Sequence, residues 1–294
     1  MDHAQHGRPH DVTRPGLLRD GLSLTKPGIV TGNLLSVTGG FFLGSPGQPD
    51  LLRWLVTASG IGLVVASACV FNNCIDQDID ARMRRTCRRP LPAGRFPLQG
   101  ALALGGVLAM TGILLLLTLK VLWTLDITLC GFLVYVGLYT PLKRHSPWAV
   151  WVGSLAGAAP PLAGYYASGH VPGLEGSLLL ATFCLWQIPH SDAIALLHEE
   201  DYRTAGVYHL NGISAARQRM LKLIPLYTLL SCVLLSLGFP HPIMAVVALA
   251  LNGYWMLLCW RPSASNERLW ARQMLQMSLT SIMVLNFGLI VTPH

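Results

Sequence analysis

The feature that most restricts this chain is a recurrence of apolar runs, 16 to 22 residues long and almost free of charge, separated by short polar connections. A helix of about 20 residues spans the roughly 30 Å hydrocarbon core of a bilayer, so each run has the length of one crossing. Nine are placed: Gly28–Leu43, Leu52–Asn72, Leu98–Leu119, Leu122–Tyr139, Trp148–Ala167, Gly176–Leu197, Leu221–Phe239, Ile243–Trp260 and Met274–Val291. Of the 294 residues 52% are hydrophobic and only 12% charged, about half the charged share of a soluble domain. The expected fold is all-α: a polytopic membrane protein, a bundle of nine transmembrane helices. Residues 1–23, polar and without the apolar core of a cleaved signal, are expected to be a disordered cytoplasmic tail, and residues 24–294 one intramembrane domain.

The basic residues test this threading. Lys and Arg outnumber Asp and Glu by 21 to 14, a net +7, which on a soluble protein would suggest nucleic acid. Here they sit between the runs, and alternate threading puts 19 of the 21 on one side, with only Arg53 and Lys120 opposite. Cytoplasmic loops hold the Lys and Arg, so the N-terminus is placed in the cytoplasm and the C-terminus outside. No nucleic-acid partner is implied. Seven scattered cysteines without C-x-x-C spacing indicate neither a disulfide framework nor a thiolate metal site.

Three polar stretches share the predicted cytoplasmic face. At the end of the second run lie Asn72, Asn73, Asp76, Asp78 and Asp80, then Arg82, Arg84, Arg85, Arg88 and Arg89. In a helix, Asn72, Asp76 and Asp80 drift only about 40° per step while rising about 6 Å, which makes one face of oxygen ligands. Mg²⁺ is commonly held by one or two carboxylates with substrate phosphate oxygens completing its shell, and the arginines just beyond can take phosphate oxygens in bidentate fashion. A solvated, orienting helix end would explain the arginines but not three carboxylates within five residues. Asp78 falls off that face and reads as part of such a cap.

After the fourth run, Lys143 and Arg144 follow Tyr139, suited to a leaving diphosphate beside an aromatic cavity wall and equally to positive-inside anchors. The small-residue stretch Gly153–Pro161 reads as close helix packing, with Pro160 and Pro161 breaking or kinking the helix. At the end of the sixth run His190 follows Pro189, and an ionisable group in an apolar run is a functional candidate as much as a satisfied core histidine. Glu200 and Asp201 form a second acidic cluster, placed to complete a metal site from across the first.

The first cluster resembles the N-(D/N)-x-x-D-x-x-x-D signature of the UbiA superfamily of intramembrane prenyltransferases. Within it, Leu24–Ser45, Val64–Thr86, Tyr139–Ser146, Gly153–Tyr165, Trp186–Ala195 and Asp201–Gly206 are similar, in order, to the protohaem IX farnesyltransferase family. The resemblance implies transfer of farnesyl from farnesyl diphosphate to a vinyl group of haem B, with addition of water, giving haem O. It implies Mg²⁺ at Asn72, Asp76, Asp80, Glu200 and Asp201, and a catalytic set of Asp76, Asp80, Lys143, His190 and Asp201. Asn72, Asn73, Arg82, Arg85, Arg88, Tyr139, Arg144, Trp186 and Tyr202 would bind the substrates. It further implies a multi-pass protein of the cell inner membrane with its site on the cytoplasmic side, and haem A synthase or terminal-oxidase assembly as downstream partners.

This chain departs from the family in two places. The stretch after Asp201-Tyr202 is about three residues short, and Asp192 stands where an aromatic or apolar residue is usual. Two other readings stand beside the farnesyltransferase: a prenyltransferase for another acceptor, such as a quinone or chlorophyll precursor, and a non-catalytic haem carrier. Charges near the bilayer midplane would favour the carrier; here the acids cluster at one interface.

Overall fold

A computed structural model describes residues 16–45, 47–207, 212–238, 242–261 and 266–291. It is helical throughout, with no strand among the described residues. In chain order the helices are α1 (Leu17–Leu24), α2 (Pro27–Leu43), α3 (Leu51–Ile75), α4 (Gln77–Asp80), α5 (Leu98–Thr118), α6 (Leu122–Leu133), a π-helical stretch Val134–Tyr139, α7 (Thr140–Leu142), α8 (Ala149–Ala167), α9 (Leu174–Leu197), α10 (Glu199–Ala205), α11 (Gly212–Gly238), α12 (Ile243–Trp260) and α13 (Glu267–Val291). Six described helices are long and apolar enough to cross a bilayer: Leu51–Ile75, Leu98–Thr118, Leu122–Leu142, Gly212–Leu237, Ile243–Trp260 and Glu267–Val291. The other three expected runs are helical too. Helix α2 is only 17 residues long, while α8 and α9 carry the small and polar residues of an internal cavity, which lower their hydropathy.

The outer surface is an apolar belt. Val107, Met110 and Leu114 on α5, Val246 and Leu249 on α12, and Met283 and Phe287 on α13 are all exposed. A contiguous apolar surface of this extent belongs against lipid. The chain is therefore a multi-pass membrane protein. Inside, α2 packs on α3, α8 and α13, and α9 packs on α8, α11 and α13, with α5 outside α3 and α12 outside α11.

Backbone approach, and not large side chains, sets the tightest of these contacts. A methyl at Gly40 would lie 1.9 Å from the Pro161 carbonyl oxygen, and one at Gly164 would lie 2.3 Å from that of Val37. Small residues take this role in lipid because dispersion and backbone proximity, not hydrophobic burial, hold helices together there. Contrary to the expectation of a break, α8 stays helical through Pro160 and Pro161; packing by neighbouring helices makes prolines tolerable in membrane helices. Polar glue complements the small residues: Ser67 Oγ donates to the Gly105 carbonyl at 2.7 Å across α3 and α5, and Tyr227 Oη lies 2.9 Å from Ser281 Oγ between α11 and α13.

The expected tail divides. Residues 1–15 lie outside the described residues, but Leu17–Leu24 is a helix. It exposes Leu17, Leu18 and Leu22 and buries Asp20 and Leu24. Asp20 accepts from Arg95 Nε at 3.3 Å and Nη2 at 3.2 Å, a tie 75 residues away in sequence that no local pattern announces.

Candidate active site

Between α2, α3, α8, α9 and α13 lies a cavity of about 840 Å³, at the upper end of the usual range for small-molecule sites. Its body is apolar, with Ile61, Val64, Phe132, Ala159, Phe183 and Ile282 in the wall. Its head gathers Lys26, Asn72, Asp76, Asp80, Arg85, Arg89 and Lys143.

The head is built at the end of α3. The helix proper stops at Ile75, yet the Asp76 amide donates to the Asn72 carbonyl at 2.9 Å and the Asp80 amide to the Asp76 carbonyl at 2.8 Å. The helical step of four therefore persists, and Asn72, Asp76 and Asp80 all line the cavity as their spacing predicts. Asp76 Oδ2 accepts from Asn72 Nδ2 at 2.8 Å and pairs with Lys143 Nζ. Its Oδ1 is buried, accepts no hydrogen bond, and has the Arg144 guanidinium 3.7 Å away. Asp80 Oδ2 accepts from Arg89 Nη1 at 2.7 Å. The two carboxylates are 3% and 4% exposed, and burying a carboxylate is costly without such partners.

Sequence reasoning does not single out two of the head's cations. Lys26 caps α2 with φ 51° and ψ 66°, a left-handed turn costly for a residue with a side chain, and its Nζ donates to Asn72 Oδ1 at 2.6 Å. Burial, and next the nearby Arg89 charge, push the Lys26 ammonium down to about 8. Arg89, which also reaches Asn73 Oδ1 at 3.3 Å, was one among six arginines in a loop without periodicity. The position of Lys26 directly before Pro27 was the one available signal for it.

Several expected residues sit elsewhere. Arg82 and Arg88 do not line the cavity, whereas Arg85 does. Asn73 turns away, its Nδ2 donating to the Leu24 carbonyl at 2.8 Å. Arg144 leaves the cavity wall and grips Asp78 with Nη1 at 2.9 Å and Nη2 at 2.8 Å; that guanidinium holds the Asp78 carboxyl below the usual carboxylate range. Asp78 is thus an outward cap, as its angle on the helix predicted. The second acidic cluster does not face the first across the cavity. The Glu200 side chain is 70% exposed, 4.0 Å from Arg84, and Asp201 Oδ1 accepts from the Arg84 backbone amide at 3.0 Å. Helix geometry is the reason: residues advance 100° each, so α10 turns Tyr202 inward against Ile79 and Met83 while its acids point out. Among the described residues no three His, Cys, Asp or Glu side chains converge on one point. The shortened stretch after Tyr202 falls largely on residues 208–211, outside the described residues.

The fourth run ends in the π-helical stretch Val134–Tyr139. Pro141 has no amide to give the Gly137 carbonyl, so the preceding turn widens. Tyr135 and Tyr139 stack there with centroids 5.4 Å apart, and Lys143 Nζ lies 5.6 Å from the Tyr139 ring centroid. Gly153 leaves the room, since a methyl there would meet Tyr139 Cδ2 at 2.8 Å.

Across the cavity Trp186 and His190 stack at 4.7 Å, and both are fastened to Ser278 on α13. Trp186 Nε1 donates to the Ser278 carbonyl at 2.8 Å, and His190 Nδ1 lies 2.9 Å from Ser278 Oγ. The Ser278 hydroxyl proton goes to the Leu275 carbonyl at 2.7 Å. With that proton on Leu275 the Ser278 oxygen accepts from His190 Nδ1–H, a tautomer that would leave the Nε2 lone pair free. Nothing in the sequence marked Ser278, which lies 88 residues from its partner.

A membrane-embedded helical bundle whose cavity joins a carboxylate-and-cation head to a long apolar body defines a site for an amphiphile with an anionic headgroup. The model of the UbiA prenyltransferase family matches residues 33–282, and a Shewanella loihica protein named protoheme IX farnesyltransferase 2 is 41% identical over 90% of this chain and 88% of its own length. The chain belongs to the UbiA prenyltransferase family. Its fold is similar to that in a structural study of digeranylgeranylglyceryl phosphate synthase (TM-score 0.75, 21% identity, 94% of this chain and 98% of that one). It is also similar to a UbiA homologue from Archaeoglobus fulgidus bound to GPP and Mg²⁺ (TM-score 0.66, 14% identity, 92% and 99% covered).

Proposed function

We propose that this chain transfers the farnesyl group of farnesyl diphosphate to a vinyl group of haem B, with addition of water, to give haem O. The observation that carries this is the 41% identity, over nine-tenths of the chain, to a relative bearing that activity's name; the cavity suits both substrates. As the allylic C1–O bond breaks, negative charge gathers on the diphosphate. Lys26, Arg89 and Lys143 are held where they can stabilise it, a preorganised electrostatic contribution. Mg²⁺, when bound, supplies further positive charge to the leaving group. Asp76, with its unbonded buried oxygen, and Asp80 are the carboxylates that would hold it, a number in keeping with the one or two that Mg²⁺ commonly takes from protein. The apolar body takes the C15 chain, worth about 0.8 kcal/mol per buried CH₂.

The vinyl π electrons form the new bond to C1. Water captures the cation left beside the ring and releases a proton, so the products are haem O and diphosphate. His190 lines the cavity, and a free ring nitrogen there would serve as a ligand to the acceptor's iron or as acceptor of that proton. His190→Ala is expected to lower haem affinity or turnover while farnesyl diphosphate still binds with Mg²⁺. Equal loss of both affinities would return His190 to a packing role. The reading as a whole is tested with purified protein, haem B, farnesyl diphosphate and Mg²⁺: a product heavier than haem B by one farnesyl and one hydroxyl is expected, and farnesyl transfer only to a different acceptor would overturn it.

Nine crossings, a cytoplasmic N-terminus, a single domain over residues 24–294 and a cytoplasmic mouth in the inner membrane complete the proposal, supported by the 19 to 2 charge split. Haem A synthase or the assembly of a terminal oxidase would receive the product. A reporter active only outside the cytoplasm should work when fused after Ser168 and stay silent after Ala93; the reverse would invert the membrane orientation.

A further inference from the structure

The cavity holds a second charged station that the chemistry above does not use. Asp192, on α9 and 2% exposed, accepts from Arg219 Nε at 2.8 Å through Oδ2 and from Arg219 Nη2 through Oδ1. Both residues line the cavity. Among the described residues no hydrogen bond or ion pair joins them to Asp76, Asp80 or the cations around those carboxylates. Arg217, two residues earlier on α11, turns away and donates to the Cys259 carbonyl at 2.9 Å.

We propose that Arg219, held in place by Asp192, is the anchor for a carboxylate of the prenyl acceptor, a propionate if the acceptor is haem B. The inference rests on the reading in the preceding subsection and adds a specificity-determining residue to it. A guanidinium has five N–H donors. Asp192 engages two, and the outer edge of Arg219, with a side chain 21% exposed, keeps three for a ligand in the fork geometry that matches a carboxylate. Asp192 neutralises the buried charge and fixes the guanidinium plane, so those donors are oriented before the ligand arrives. Placement agrees. The diphosphate head is built from the start of α2, the end of α3, α4 and the loops after α4 and α7, whereas Arg219 stands on α11 and Asp192 on α9, two residues beyond His190. That is about 3 Å along the helix axis. Two anionic ends, one on each substrate, thereby meet two separate sets of oriented donors, and neither substrate is drawn into the other's place.

The test compares the affinity of the detergent-solubilised full chain for protohaem IX and for its dimethyl ester, in which both carboxylates are masked. The unaltered protein is expected to favour the free acid by about tenfold or more, as one charge-assisted bidentate contact would give. Arg219→Gln is expected to bring the ratio close to one while farnesyl diphosphate binding in Mg²⁺ is unchanged. Because that variant strands a buried carboxylate, the double variant Asp192→Asn with Arg219→Gln, which removes both charges, is measured beside it and should give the same ratio. Preference for the free acid surviving in either folded variant, absence of preference in the unaltered protein, or loss of farnesyl diphosphate affinity with the preference intact would each overturn the anchor. If the unaltered protein bound neither form, the haem reading would fail, and the anchor with it.

Discussion

Asp76→Ala and Asp80→Ala should each lower farnesyl transfer by a hundredfold or more, on the order of the loss that follows removal of one preorganised electrostatic contact. Asp78→Ala should change it little. The three carboxylates lie within five residues of one another, so the contrast isolates geometry from composition. Asp76 and Asp80 are buried in the cavity head with Lys143 and Arg89 as partners, while Asp78 is paired outward with Arg144. Removing either buried carboxylate also strands a cation, which by itself destabilises. Asp76→Asn removes the charge but keeps the shape and an oxygen that can still accept from Lys143, so it should fold and remain inactive. The measurement is single-turnover product formation at saturating Mg²⁺, with folded protein quantified by size exclusion. Full activity at Asp76→Asn, or equal loss at all three positions, would remove the head from the chemistry.

Gly40→Ala should destabilise the bundle by about 3 kcal/mol or more, the upper range for overpacking. The added methyl meets the Pro161 carbonyl oxygen at 1.9 Å and its carbon at 2.8 Å, and backbone cannot rotate out of the way as a side chain can. Relief requires α2 and α8 to separate, which widens the wall they share in the cavity. Gly164→Ala, against the Val37 carbonyl at 2.3 Å, should behave alike. Gly106, with nothing within 4 Å of an added methyl, is the control: Ala there should be neutral or stabilising by up to about 1 kcal/mol, as helix propensity dictates. Thermal unfolding in detergent reads all three, and a melting temperature for Gly40→Ala equal to that of the unaltered chain would show that α2 and α8 are not locked as described.

The acidic ladder was legible because the step of four survives the change from α3 to α4, so a local angular rule was enough to place Asn72, Asp76 and Asp80 on one wall and Asp78 off it. The same kind of rule could not choose among six arginines in a loop that has no period. Arg89 turns inward because Asp80 is there to receive it, and among the described residues Arg82 and Arg88 have no such buried carboxylate partner. Glu200 and Asp201 were placed in the site by analogy with a two-sided metal cluster. The rotation of α10, set by Tyr202 packing on Ile79 and Met83, points them away. Residues 17–23 read as tail because so short a stretch is too brief for a periodic signal, and the partner of its buried Asp20, Arg95, is far along the chain.

What the sequence by itself determined is everything that depends on local period and length: the helical class, the apolar runs, and the face shared by Asn72, Asp76 and Asp80. Each follows from 1.5 Å of rise and 100° of turn per residue and from the cost of charge in hydrocarbon, neither of which needs a partner helix. What only the tertiary structure decided is which side chains meet: Lys26 with Asn72, Arg89 with Asp80, His190 with Ser278, Asp192 with Arg219. These pairs are separated by 9 to 88 residues, and their encounter depends on backbone contacts such as Gly40 on Pro161, where the absence of a side chain, and not any signal it carries, lets two helices close around the site.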